Sequence, residues 1–207
     1  EFSVNKFKEL EISNIKIWLL RKLLEDIYGF KTNSLSANAS LAIASREHNI
    51  ISTATIFNLF GFNWFESLSI CQEIFNEVDI FLSNQKDKIK KTRNIIAGAS
   101  DLLVSLKKEK VSIALMTNDT QAGIEEFISI NQLDGIFNNL WSYENKPSKP
   151  NPDAVIELCK KMNLNPSECA LISDADTDLK MAKEANIKLV IGFTGGWRNP
   201  PTITEQK

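Results

Sequence analysis

The chain has 207 residues, 43% hydrophobic and 24% charged, enough to bury a sizeable apolar core in one large domain or a core plus a smaller one. With 24 Lys and Arg against 26 Asp and Glu, the formal charge of -2 creates no field that would draw nucleic acid. No apolar run approaches the roughly 18 residues of a membrane span, and the opening EFSVNKFKEL lacks the basic start and apolar middle of a secretory signal.

In chain order, the first 80 or so residues read as helical. Over Ile15–Tyr28, a period near 3.6 puts Ile15, Trp18, Leu19, Leu23 and Ile27 near one face, and Gly29 stops the helix. Residues 35–48 and 52–60 read as shorter helices, broken by Gly61. The segment Trp64–Leu82 repeats the pattern with Phe65, Leu68, Cys71, Ile74, Phe75, Val78 and Phe81. Trp18, Phe65 and Phe81 are therefore expected in the core.

Composition shifts near residues 84–98, and beyond Gly98 helix and strand alternate. The predicted helices are Asp101–Glu109, Ala122–Ile130, Pro152–Met162 and Asp176–Ala185. The predicted strands are Val111–Met116, Ile136–Trp141, Cys169–Ser173 and Leu189–Phe193. This alternation implies an α/β fold with a doubly wound parallel sheet. Ligands in such sheets sit beyond the carboxyl ends of the strands. The residues to weigh are therefore Thr117–Asp119, Tyr143–Asn151, Asp174–Asp178 and Thr194–Trp197.

Three of these endings carry groups suited to phosphate or metal. Thr117 and Asn118 can both donate to an anionic oxygen, although taken alone a helix N-cap is the simpler reading. Lys149-Pro150 and Lys146-Pro147 share one loop; a stiff solvated connection explains an isolated Lys-Pro, whereas a rigid turn can also aim an ammonium at a phosphoryl group. Lys149 is the candidate because Pro152 opens the next helix directly behind it, and Lys146 is expected to be solvated. Asp174, Asp176 and Asp178 crowd three like charges into five positions, which a bound cation such as Mg2+ would relieve. Capping at a helix start accounts for Asp176 alone.

At this point residues 98–197 resemble the core of the haloacid dehalogenase-like hydrolase superfamily. GASDLLVSLKKEKVSIALMTND stands for its second motif, SKPNPDAV for its third and LISDADTDLKMAKEAN for its fourth. The helical block 14–95 resembles the cap of the phosphoglycolate phosphatase and phosphoglucomutase-like branch. The resemblance implies a Rossmann-like parallel-sheet core (96–207) with an inserted all-helical cap (14–95), and residues 1–13 as the remnant of a first core strand with its linker. It further implies Mg2+-dependent hydrolysis of a small phosphorylated metabolite through an aspartyl-phosphate. Thr117 and Asn118 would then hold phosphoryl oxygens, Lys149 would offset charge, Asp174 would bind Mg2+, and Asp178 would support the metal shell or orient Lys149. Ser173 stands where the fourth motif normally has Gly. A sugar-phosphate mutase is the minor variant of this reading.

The family's first motif, Asp-x-Asp-Gly-Thr, is not found. The matching place holds Asn5 and Phe7, where Asn is a far poorer nucleophile than a carboxylate and Phe cannot transfer a proton. Two readings stay open: residues around the first strand are missing from the printed chain, or the protein is an inactive binding or interaction module. The shortness of both ends favours the first as an expectation.

The remaining polar features carry less. The single histidine, His48, excludes a site needing two imidazoles and is expected on a polar helix face. Lys86, Lys88, Lys90, Lys91 and Arg93 read as a solvated hinge, with steering of phosphate esters as the alternative. Cys71, Cys159 and Cys169 are too few and scattered for a disulfide framework or zinc cluster, which fits a reduced cytoplasmic setting. Trp197 follows a strand end and could wall the crevice.

Overall fold

The computed structural model describes residues 2–9, 14–32, 34–85, 94–197, 200–201 and 203–205. The basic run from Lys86 to Arg93 lies outside the described residues. The chain forms two compact units, Glu1–Ile89 and Lys90–Lys207.

The first unit is mainly helical: α1 (Phe2–Glu9), α2 (Asn14–Tyr28), α3 (Ser40–Ile43), α4 (Arg46–Leu59) and α5 (Trp64–Ser83). Within residues 1–13, expected as a strand remnant and linker, the described stretch Phe2–Glu9 is helical and buries Val4 in a core with Leu20, Leu24, Ile50, Ala54, Ile56, Phe57, Cys71 and Ile74. Residues 35–48 are likewise no continuous helix. A short antiparallel hairpin pairs β1 (Phe30–Lys31) with β2 (Ser34–Leu35), and Ser45 caps α4 by accepting from the His48 amide. Gly29 enters that hairpin at φ +76, and a Cβ there would lie 2.2 Å from the Cβ of Ala39, so only glycine fits.

The helical period is right in this unit, and Cys71 and Ile74 are core as expected, but the edges of the stripes are misplaced. Trp18 is 66% exposed, Phe65 82% and Phe81 47%, against the expectation that all three are core. The buried face of α2 runs through Leu20 and Leu24, flanked by half-buried Ile17, Leu23 and Ile27. On α5 it runs through Ser67, Cys71 and Ile74. Both helices carry apolar residues at adjacent positions, so two stripes overlap and packing selects one. His48 is exposed, with Nδ1 3.1 Å from the Ser45 hydroxyl.

In the second unit the elements alternate: α6 (Ala99–Lys108), β3 (Ala114–Met116), α7 (Gln121–Ile130), β4 (Asn139–Trp141), α8 (Pro152–Lys161), a 3-10 turn at Pro166–Glu168, β5 (Ala170–Ser173), α9 (Asp176–Glu184) and β6 (Leu189–Gly192). β3 pairs in parallel with β4, Leu115 opposite Leu140, and β5 in parallel with β6, Leu171 opposite Val190. This is the α/β, Rossmann-like arrangement expected from the alternation, realised as two parallel strand pairs. The packing of α8 joins them. Its Ala154 and Leu158 meet Trp141 and Met116, while its Val155 and Cys159 share a core with Leu179, Met181, Ala182 and Val190. Among the described residues no helix is long and apolar enough to cross a membrane.

Candidate active site

The carboxyl ends of β3 and β4 are tied to one another by hydrogen bonds. The Thr117 amide continues the β3–β4 ladder by donating to the Trp141 carbonyl (2.9 Å), and the Tyr143 amide donates to the Asp119 carbonyl (3.1 Å). Thr120, not Thr117 or Asn118, caps α7 by accepting from the Gly123 amide (2.9 Å). That removes capping as the role of Thr117 and Asn118. Thr117 Oγ1 accepts from the Asp119 amide (3.1 Å), which leaves its hydroxyl proton to donate elsewhere. The Asn118 Oδ1 is buried.

The loop from β4 to α8 is held at both ends. Trp141, almost wholly buried, donates its indole N–H to the Pro147 carbonyl (3.2 Å), and Asn145 Oδ1 accepts from the Ser142 amide (2.9 Å). At the far end Asn151 caps α8 by accepting from the Asp153 amide (2.9 Å), with Pro152 in the first turn. Both Lys-Pro bonds are cis, yet the two lysines differ: Lys146 is exposed, whereas the Lys149 side chain is only 11% exposed.

Lys149 Nζ lies 2.7 Å from Asp178 Oδ2, and the Asp178 side chain is 14% exposed. The Ser173 hydroxyl donates to the same oxygen (2.9 Å) and accepts from the Ala175 amide (3.3 Å). Ser173, expected only to replace a glycine, thus supplies a group that positions Asp178. Its partnership spans five residues across a strand end, and nothing in the spacing signals it. The ammonium keeps two further protons beyond the one that Asp178 accepts.

The three crowded acids resolve in different directions. Asp178 takes Lys149 and Ser173, and exposed Asp174 accepts from the Trp197 indole N–H (2.6 Å). Asp176 accepts from the Thr204 hydroxyl (2.7 Å), the Thr204 amide (2.9 Å) and the Glu205 amide (3.1 Å). Those bonds, the Thr204 hydroxyl foremost, hold the Asp176 carboxyl below its ordinary range. Each acid has donors of its own, so their crowding does not by itself demand a shared cation. Among the described residues, no group of three or more His, Cys, Asp or Glu side chains is arranged to hold a metal ion. Two thiols are inert by burial: Cys71 and Cys159 are each pushed up to about 12.

Asn5, expected from the sequence at the family's nucleophile position, is exposed on α1 in the first unit, and the Phe7 side chain is not among those described. The geometry therefore brings Lys149, Asp178 and Ser173 together, while Thr117 and Asn118 follow β3, the strand paired with β4.

The comparisons with known proteins bear on the family and the fold. Residues 31–191 match the family model described as haloacid dehalogenase-like hydrolase. Over 120 residues, 57% of this chain and 31% of the relative, the sequence is 31% identical to the bifunctional riboflavin kinase/FMN phosphatase of Arabidopsis thaliana. It is 24% identical over 106 residues to the phosphoglycolate phosphatase of Pseudomonas putida, covering 51% of this chain and 39% of that one. The chain thus spans well under half the length of either relative. In fold it resembles the crystal structure of beta-phosphoglucomutase from Clostridium difficile, with a TM-score of 0.58, 21% identity, and coverage of 84% of this chain and 75% of that one. With the match to the family model extending over most of its length, the chain belongs to the haloacid dehalogenase-like hydrolases.

Proposed function

We propose that this chain carries the phosphate-handling and metal-binding groups of a Mg2+-dependent phosphatase for a small phosphorylated metabolite. One observation carries the reading: a nearly buried lysine, paired with Asp178 and Ser173, lies at the strand ends of an α/β unit. A lysine in that setting is a fixed positive charge with protons to spare, suited to a dianionic ester head. In this reading Thr117 and Asn118 donate to phosphoryl oxygens. Asp178 and Ser173 hold the ammonium in place. The relatives named as phosphatases support this choice of reaction class.

The donor set fits magnesium. Mg2+ takes hard oxygen ligands and is bound through one or two carboxylates, with water and substrate oxygens completing the shell. Asp174 would hold it, with Asp178 as the supporting carboxylate. Bound there, Mg2+ would neutralise charge on the phosphoryl oxygens. An aspartyl-phosphate route needs a carboxylate nucleophile, and this reading assigns none within residues 1–207. Among the described residues β3 pairs with β4 and β5 with β6. The helical block 14–95 is assigned the role of a cap that selects the substrate, and the three free thiols suit a cytoplasmic setting.

A second reading, a non-catalytic phosphate-binding module, is favoured by the placement of Asn5 on a helix. Two measurements test these readings. Calorimetry with inorganic phosphate and Mg2+ should show binding that Lys149→Ala weakens at least about tenfold and Lys146→Ala leaves unchanged, a charged hydrogen bond being worth roughly 1.5–3 kcal/mol. The reverse ranking would reject the site. Hydrolysis of p-nitrophenyl phosphate by the full gene product, lost in Asp174→Asn, supports the enzyme. Phosphate binding without turnover supports the module.

A further inference from the structure

Trp197 is a strand-end residue that the proposed function leaves unused, and its surroundings form a closed circuit with Asp174. The Phe193 amide donates to the Ser173 carbonyl (2.9 Å), which fastens the chain after β6 to the end of β5. The Trp197 amide then donates to the Thr194 carbonyl (3.0 Å), turning the chain back through Gly195-Gly196. The indole N–H finally meets Asp174 Oδ2 at 2.6 Å. Asp174 follows Ser173 directly, so the indole is anchored to the same strand end whose carboxylate it holds.

An exposed aspartate otherwise rotates freely, and any ligand that needs one orientation must first stop that rotation. An indole nitrogen only donates; it cannot ligate a cation or accept a proton. Its bond to a carboxylate is charge-assisted and fixes one oxygen while leaving the second open.

We infer that Trp197 is a positioning residue for Asp174: its indole N–H pins Oδ2 so that Oδ1 is presented to a divalent cation. The inference rests on the proposal that Asp174 binds Mg2+. Outer partners of this kind govern metal affinity by about 10–100-fold when removed.

The test is a calorimetric Mg2+ titration of the wild type, Trp197→Phe and Asp174→Asn, accompanied by the indole N–H region of the NMR spectrum. Trp197→Phe keeps an aromatic ring and deletes only the donor. It should weaken Mg2+ binding roughly tenfold without changing the melting temperature, the low end of the range for such partners. In the wild type, Mg2+ should shift the indole signal that is missing from Trp197→Phe and leave those of Trp18, Trp64 and Trp141 in place. In Asp174→Asn the same indole signal should not respond. If Trp197→Phe binds Mg2+ as the wild type does while Asp174→Asn does not, the positioning role is overturned and the metal assignment stands. If Asp174→Asn binds as tightly as the wild type, or the wild type does not bind, the assignment falls and the inference with it. Should Trp197→Phe fail to fold, the wild-type spectrum decides, and an unmoved indole signal overturns the inference.

Discussion

Two ion pairs of nearly equal length lie in the two units, and they do different things. Arg46 Nη2 meets Asp79 Oδ2 at 2.8 Å on the outside of the helical unit, with side chains 26% and 61% exposed. The guanidinium also reaches Asn76 Oδ1 (2.9 Å) and lies over the Phe75 ring. Lys149 meets Asp178 at 2.7 Å with both side chains largely shielded from water. Solvent screens the first pair, and an exposed pair is worth only about 0–1 kcal/mol. In the second, losing one partner strands a charge that water reaches poorly, at a cost of up to about 3–5 kcal/mol. Distance does not rank these pairs. Their surroundings do.

The sharpest way to break that comparison is substitution on both sides. Lys149→Met should lower the unfolding free energy by up to about 3–5 kcal/mol in urea, because Asp178 keeps a largely shielded charge with, among the described residues, Ser173 to answer it. Arg46→Met should cost under about 1 kcal/mol. Adding Asp178→Asn to Lys149→Met removes the stranded charge and should restore much of the loss. A double variant as unstable as the single one would mean that packing, not charge burial, explains the effect.

In the helical unit the sensitive points are backbone and packing rather than charge. Gly29→Ala places a Cβ at φ +76 and 2.2 Å from Ala39, so it should cost about 1–3 kcal/mol by strain, well above the Arg46 variant. A neutral result, read from the urea midpoint, would mean that the turn relaxes and that the hairpin entry is not fixed by glycine.

The same contrast governs what can be read from the sequence. Strand and helix order in the second unit is legible because each parallel strand reads as a short apolar run between turn signals, even though Ile172 and Leu189 stay exposed. Even there, Val111–Met116 shortens to Ala114–Met116. The Ile113 amide donates to the side chain of Asn138 (2.9 Å) and its carbonyl accepts from the Asn138 amide (2.7 Å), a closure that no periodicity announces. In the helical unit, α2 presents Ile17, Trp18, Leu19, Leu20, Leu23 and Leu24 within two turns, so period alone cannot say that Leu20 is buried and Trp18 exposed. At the site, the motifs single out Lys149 and Asp178, but the partners that hold the acids come from afar. Ser173, Trp197 and Thr204 reach Asp178, Asp174 and Asp176 across separations of 5, 23 and 28 residues. Such pairings are set by tertiary structure.

The gentlest test concerns Asp176, whose donors come from the segment around Thr204 rather than from a lysine. Its carboxylate holds the segment around Thr204 and Glu205, and Lys183 adds an ion pair to Glu205 (3.0 Å). A carboxyl whose folded pKa is depressed contributes only while it is ionised: the attachment is complete above the ordinary carboxylate range and is lost as pH falls through the lowered value. The Thr204 amide signal should therefore stay constant from neutral pH through that ordinary range and move only in stronger acid. In Asp176→Asn the transition should vanish while Ile203 still packs against the core of the second unit, since that contact is apolar. A Thr204 signal that titrates with an ordinary carboxylate midpoint would show that these hydrogen bonds do not stabilise the anion. Asp176 would then be an unconstrained surface acid, and the division of the three acids among separate donors would hold for Asp174 and Asp178 alone.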